Sequence, residues 1–186
     1  MTAHQPAHAT HVVPAPTAEP SAAGPPGGAG ADEFRAFMAS WPSGVSVVTA
    51  QHRDEDPSGC TVNAVLSWSL RPPMIGVCLS ATSRTLRAVR ASGSFGVNIL
   101  SWDQRRLIDQ FATAPAHERF AGVDPLHPAG PALLRGAAAA ARFAVCATFA
   151  YADHVLVIGQ PVGPLHAEDV SPVVLHNRSR CHLTEV

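Results

Sequence analysis

Lysine is absent: all 13 basic residues of the 186-residue chain are arginines. A base-composition bias explains this as readily as function does, so it carries no weight here. Charge of either sign is scarce, at 15% of residues, and the formal net charge is -1. A chain that served a nucleic-acid or anionic-membrane surface would need a basic excess, so neither is expected as a partner. No C-x-x-C occurs among the four cysteines, Cys60, Cys78, Cys146 and Cys181. They read as small buried hydrophobes in a reducing compartment. No apolar run approaches the roughly 20 residues that cross a bilayer. The N-terminus lacks the charged start and apolar stretch of a secretory signal, so a cytoplasmic location is expected. The Asn177-Arg178-Ser179 sequon is then a chance match. No G-x-x-x-x-G-K-[ST], G-x-G-x-x-G or G-x-S-x-G is present, which removes the P-loop, the Rossmann fingerprint and the nucleophile elbow.

What is present divides the chain in two. Residues 1–31 are rich in Ala, Pro and Gly, ending in "SAAGPPGGAGA". Little there can be buried, so a disordered tail is expected. His4, His8 and His11 lie in it without a scaffold to fix them, and no metal site is expected. Residues 32–186, 46% hydrophobic with the rest of the chain, have the apolar content for one domain. Asp32 is placed to cap a short helix whose Phe34, Phe37, Met38 and Trp41 share one face, stopped by Pro42. Strands follow at Gly44–Gln51, Cys60–Leu70 and Pro73–Ser80, with Arg71-Pro72-Pro73 breaking the last two apart. A helix over about 83–91 is closed by Gly93, and "SFGVNIL" is the next strand. Ser101 and Gln104 form a capping box for a helix through Phe111. After a proline-rich loop come strands over about 138–151 and 154–162 around an Ala152-Asp153 turn, then a last strand and tail. Strands dominate and the short helices do not alternate with them. The fold class is therefore mainly β, an antiparallel barrel with a few peripheral helices.

Two stretches carry chemistry. Alternation along the second strand puts Thr61, Asn63, Val65, Ser67 and Ser69 on one face. Val62, Ala64, Leu66, Trp68 and Leu70 lie on the other, expected to be core. The polar face reads as solvated exterior, or as a grip on a planar polar ligand through Thr61 and Asn63. The second stretch is "CLSATSRTLRAV", Cys78–Val89. A helix start needs one hydroxyl cap; this one offers Ser80, Thr82, Ser83 and Thr85, and adds Arg84 where the helix dipole is already positive. An anion at this terminus reverses the cost. Free N–H groups, hydroxyls and a guanidinium together favour phosphate.

Five segments in order, "FRAFMASWPSGVSVVTA", "CTVNAVLSWSLRPPMIGVCLS", "SRTLRAVRASGSFGVNILS", "QFA…ERFAGVD" and "ADHVLVIGQPV", make the chain resemble the flavin reductase-like family over about residues 34–182. The resemblance implies an FMN-binding split β-barrel of Greek-key, antiparallel type, usually a homodimer. It implies an NAD(P)H:flavin oxidoreductase that uses NADH or NADPH to reduce FMN or FAD and supplies a partner monooxygenase. It implies that Thr61, Val62, Asn63 and Ala64 touch the ribityl chain and ring edge. Cys78, Leu79, Ser80, Ala81, Thr82, Ser83, Arg84 and Thr85 wrap the ring and phosphate, with backbone N–H groups of Ser80–Ser83 near the ring. Phe111, Ala112, Arg119 and Phe120 close the pocket, and His154 stands on the nicotinamide side. The family often ends in His/Tyr-Arg-Gly-x-Tyr; here Ser179 and Cys181 stand at the Gly and Tyr positions. That departure keeps two other readings open: a flavin-retaining oxidase or oxygenase of a biosynthetic pathway, and a non-enzymatic flavin-binding dimer.

Overall fold

The computed structural model describes residues 11–12, 28–51, 56–126 and 129–183. The expected N-terminal tail falls mostly outside them. Within it, His11–Val12 form a two-residue strand, β1. Helix α1 spans Ala31–Ala39. Its N-cap is Gly30 and not Asp32: the Glu33 carboxylate reaches back to accept from the Gly30 N–H at 2.9 Å, while Asp32 pairs with Arg35 one turn on. Strands β2 (Ser43–Gly44), β3 (Ser46–Ala50), β4 (Ser58–Val62), β5 (Val65–Leu70) and β6 (Pro73–Ser80) follow. Helix α2 is Arg84–Ser92, ended by Gly93 at φ 69°, a left-handed cap that suits glycine. Then come β7 (Ser94–Ile99), a 3-10 turn at Trp102–Gln104, and α3 (Leu107–Thr113). The Ser101–Gln104 box therefore opens a 3-10 turn, and the helix proper starts later than expected. The long hairpin β8 (Ala139–Tyr151) and β9 (His154–Ala167) is followed by β10 (Val173–His176) and β11 (Ser179–His182).

The main sheet runs β4-β3-β7-β8-β9-β6-β5, antiparallel throughout, with β1 added parallel to β8. Its two edge strands, β4 and β5, are consecutive in the chain and joined by Asn63-Ala64. The expected single strand Cys60–Leu70 is thus two, broken where the sheet closes on itself. The Cys78 N–H bonds the Ala64 carbonyl at 3.0 Å, holding the joint to β6. The mainly β, antiparallel fold read from the sequence is the one observed. The expected last strand is instead a hairpin. Asn177 and Arg178 turn it with φ of 48° and 63°, and β10 also pairs with β2.

β3 is buried along its length because it divides two cores. Val48 and Ala50 face the barrel interior with Val77, Leu79, Phe95, Val97 and Val157, where Leu86 and Val89 of α2 plug one end. Val45 and Val47 face the other side with Leu107, Ile108 and Phe111 of α3 and Leu133 and Leu134 of the proline-rich loop. That loop is pinned by the buried Asn98, which donates to the Val47 and Ala132 carbonyls and accepts from the Leu134 N–H at 2.7 Å. The apolar face expected to be core on β5 lies outside: Leu66, Trp68 and Leu70 are 40, 49 and 82% exposed. The break at Asn63-Ala64 and a register shift between Ser67 and Ser69 reset the alternation. Phe34 and Phe37 of α1 and Trp41 just beyond it are likewise exposed. No helix among the described residues is long and apolar enough to cross a membrane.

Candidate functional site

Ser83 begins the site. Its backbone is extended and its hydroxyl accepts from the Leu86 N–H at 3.3 Å, so it is the N-cap of α2. The intrahelical ladder starts with Arg87 N–H to the Ser83 carbonyl. That leaves the Arg84 and Thr85 amides at the helix head with no internal partner, as at any helix start. The turn before it is tight. The Ala81 N–H is taken by the Asp153 carbonyl at 2.9 Å and the Ser83 N–H by the Ser80 carbonyl at 3.0 Å. Two of the donors expected from Ser80–Ser83 are thus taken, and the Thr82 N–H has a weak partner, the Ser80 hydroxyl at 3.4 Å.

A cavity of about 230 Å³ opens at this helix head, lined by Pro57, Ser58, Gly59, Cys60, Ser83, Arg84, Ala112, Ala116 and Arg119. It joins three separated segments: the start of β4, the head of α2 and the end of α3 with its following loop. Arg119 is fixed before any ligand arrives. Its Nε donates to the Ala114 carbonyl at 3.0 Å and its Nη1 to the Gly59 carbonyl at 2.8 Å. Carbonyls orient the guanidinium without cancelling its charge. Arg84 is exposed, and the ion pairs among the described residues engage other arginines. Two arginines, two serines and free amides around one small cavity make a site for a phosphate-sized anion.

The remaining expected residues divide by position. Val62, Leu79, Thr85 and Phe111 are buried; Phe111 stacks edge-on with Phe120 at 5.0 Å behind Gly59. The Thr61 hydroxyl donates to the Ile108 carbonyl at 2.7 Å, tying β4 to α3. Ala64, Ser80, Ala81 and Thr82 form an exposed ledge beside half-buried Cys78. Asn63 lies in a separate, larger cavity of about 480 Å³, with Trp41, Ser43, His176 and Arg178 among its walls. The departed C-terminal segment therefore lies beside Asn63, two residues from Thr61. His154 opens β9 opposite Ser80, next to the ledge. Its Nδ1 lies 2.9 Å from Asp153 Oδ1. That contact and the charge of the imidazolium hold the Asp153 carboxyl below its usual range.

Ser58, Gly59 and Cys60 were not singled out from the sequence. A glycine inside a strand, directly before Thr61, is the signal that marks a close approach of another element. Burial pushes the Cys60 thiol up, offset in part by the Thr85 hydroxyl, Arg119 and Ser83. Burial also raises the Cys78 thiol. All four cysteines are free and half-buried, and no group of three or more metal-ligating side chains occurs among the described residues.

A family model described as a flavin reductase like domain matches residues 38–184. A flavin reductase (NADH) of Kitasatospora aureofaciens is 36% identical over 158 residues, covering 83% of this chain and 82% of its own. A flavin reductase (NADPH) of Lentzea aerocolonigenes is 38% identical over 133 residues, 70% of this chain and 77% of its own. Among solved structures, BorF, the flavin reductase component of a bacterial two-component tryptophan halogenase, superposes with a TM-score of 0.75 at 27% identity, covering 84% of this chain and all of that one.

Proposed function

The chain belongs to the flavin reductase-like family, and from that premise we propose that it passes hydride from NADH or NADPH to FMN or FAD and supplies the reduced flavin to a separate monooxygenase. Relatives named as flavin reductases for NADH and for NADPH support the reading, as does a relative named as the reductase component of a 4-nitrophenol monooxygenase. The observation that carries it in this chain is the anion cavity at the head of α2, bounded by Ser83, Arg84 and Arg119. Along the chain, the ledge Ser80–Thr82 runs directly into Ser83 of this cavity, and β4 leads from its Cys60 to the β4–β5 joint.

These residues fit a flavin. The Ser83 hydroxyl, the Arg84 and Thr85 amides and the two guanidiniums would hold its phosphate. Thr61 through Ala64 and Cys78 through Thr82 would border the ribityl chain and ring, with Val62, Leu79 and Phe111 as the rigid backing. Ala112 and Phe120 would close the phosphate end. When bound, the flavin supplies the two-electron acceptor. The protein's own work is placement. β6 and β9, paired from Ile75 to Ser80, set the ledge; the weakly partnered Thr82 N–H would donate toward the ring edge where charge grows on reduction; and His154 would orient the nicotinamide beside Ser80. No proton has to be taken from carbon by a base, and no dyad is needed. The reading of the chain as a homodimer rests on the family resemblance and on the apolar face of β5 and α1. Leu66, Trp68, Leu70, Phe34, Phe37 and Trp41 are a large uncovered surface of the kind that marks an interface. That face is reached from the cavity at Asn63, which shares Trp41.

The test is Arg84→Ala. Losing one charge-assisted contact at a half-open site costs about 1–2 kcal/mol, so FMN affinity falls roughly 5- to 30-fold while riboflavin, lacking phosphate, stays within about twofold. Equal loss for both flavins sinks the phosphate assignment, and absence of anaerobic flavin bleaching with either NADH or NADPH sinks the activity.

A further inference from the structure

The anion cavity does not end at Arg84. A second cavity of about 270 Å³ lies against it, lined by Asp56, Ser58, Arg84, Arg87, Ala88 and Ala91. Ser58 and Arg84 belong to both walls, so the two form one track along the flank of α2. Arg84 and Arg87 are three residues apart on one helix face, about 4.5 Å along the axis. Arg87 is exposed, and no ion pair among the described residues engages it. A single phosphate at the helix head is already served by Ser83, Arg84, Arg119 and two amides. It gives Arg87 and the second cavity nothing to do.

We propose that the second cavity takes the adenosine monophosphate half of a flavin dinucleotide, so that FAD is the preferred flavin over FMN. This inference rests on the reading of the first cavity as the flavin-phosphate cradle. Arg87 meets the second phosphate, one step further from the helix head. Asp56, acceptor-only when ionised, takes the ribose hydroxyls. Ala88 and Ala91 present small, flat apolar surface on which a purine lies without displacing a long side chain. Along α2 the lining runs Arg84, Arg87, Ala88 and Ala91, the order in which a dinucleotide presents its phosphates and then its base.

Binding of FAD, FMN and riboflavin to the full-length protein, followed by flavin fluorescence, tests it with Arg87→Ala and Arg84→Ala. The intact protein binds FAD more tightly than FMN, and ADP competes with FAD. Arg87→Ala weakens FAD roughly tenfold and leaves FMN within twofold; Arg84→Ala weakens both. Equal weakening of FMN and FAD by Arg87→Ala, or no change in either, overturns the proposal. So does a rise in KM for NADPH or NADH with FAD affinity intact, which would give the cavity to the nicotinamide nucleotide. If Arg84→Ala also leaves every flavin unchanged, the cradle itself is misassigned, an outcome distinct from failure of the second cavity alone.

Discussion

Gly59 is where strand, helix and anion cavity meet, and a single methyl group there tests the arrangement. A Cβ at this position would stand 2.8 and 2.9 Å from two ring carbons of Phe111 and 3.1 Å from Cζ of Phe120. Phe111 is fully buried and stacked edge-on against Phe120, so it has no open direction in which to turn. Half-buried Phe120 yields more easily, but it sits beside Arg119, whose guanidinium is held by the Gly59 carbonyl. Gly59→Ala therefore forces β4 and α3 apart and displaces Arg119 from the cavity. Overpacking of this kind costs about 1–3 kcal/mol, and the stiffer unfolded chain returns about 0.4–1 kcal/mol. The net loss, about 1.3 kcal/mol at the centre of those ranges, lowers Tm by roughly 3–5 °C for a domain of this size. FMN affinity falls several-fold and riboflavin affinity less. Thermal melts and flavin titrations read both effects. Phe111→Leu, which removes the ring edge, is combined with Gly59→Ala to give a double-mutant cycle with strong coupling. An unchanged or raised Tm with full FMN affinity, or strict additivity in the cycle, would refute the reasoning.

Other perturbations reach other parts of the site. His154→Ala raises KM for the nicotinamide nucleotide or slows hydride transfer in anaerobic stopped flow, with flavin affinity unchanged; identical nucleotide kinetics remove His154 from the site. Trp68→Glu with Leu70→Glu places charge on the exposed face of β5 and shifts sedimentation toward a monomer. Sedimentation as a monomer before mutation as well would count against the dimer. The raised Cys60 thiol has a pH consequence. As pH climbs past the ordinary thiol value, about 8.5, the unfolded chain ionises first and binds fewer protons than the folded one. Stability is therefore lost with rising pH, and the loss stops once pH passes the folded value. Denaturant titrations between about pH 7.5 and 10 should show a smaller alkaline decline in Cys60→Ala; parallel curves would show that Cys60 ionises freely when folded.

The order of strands and helices was legible along the chain because each signal is local. Pro42, Gly93, Arg71-Pro72-Pro73 and Ala152-Asp153 act through their own backbone, and β-branched runs declare strands wherever they fall. The crowding at the head of α2 was legible for the same reason: hydroxyls and a cation fall within one turn, the pattern from which an anion is proposed. What it did not contain was the rest of the cavity. Ser58, Gly59 and Cys60 enter from β4, and Arg119 from beyond α3, 35 residues past Arg84 in the numbering. Only the fold brings them together.

The alternation over Cys60–Leu70 marks the limit most clearly. Period two grouped Val62 with Leu66, Trp68 and Leu70, yet Val62 is buried and the other three are exposed. It carried nothing about which face is inside. That was decided by the break at Asn63-Ala64, where one chain segment becomes both edges of a closing sheet, and by pairing with β3 on one side and β6 on the other. Local sequence sets the period of a strand; the direction in which it faces is set by its partners, because burial belongs to the pair and not to the strand.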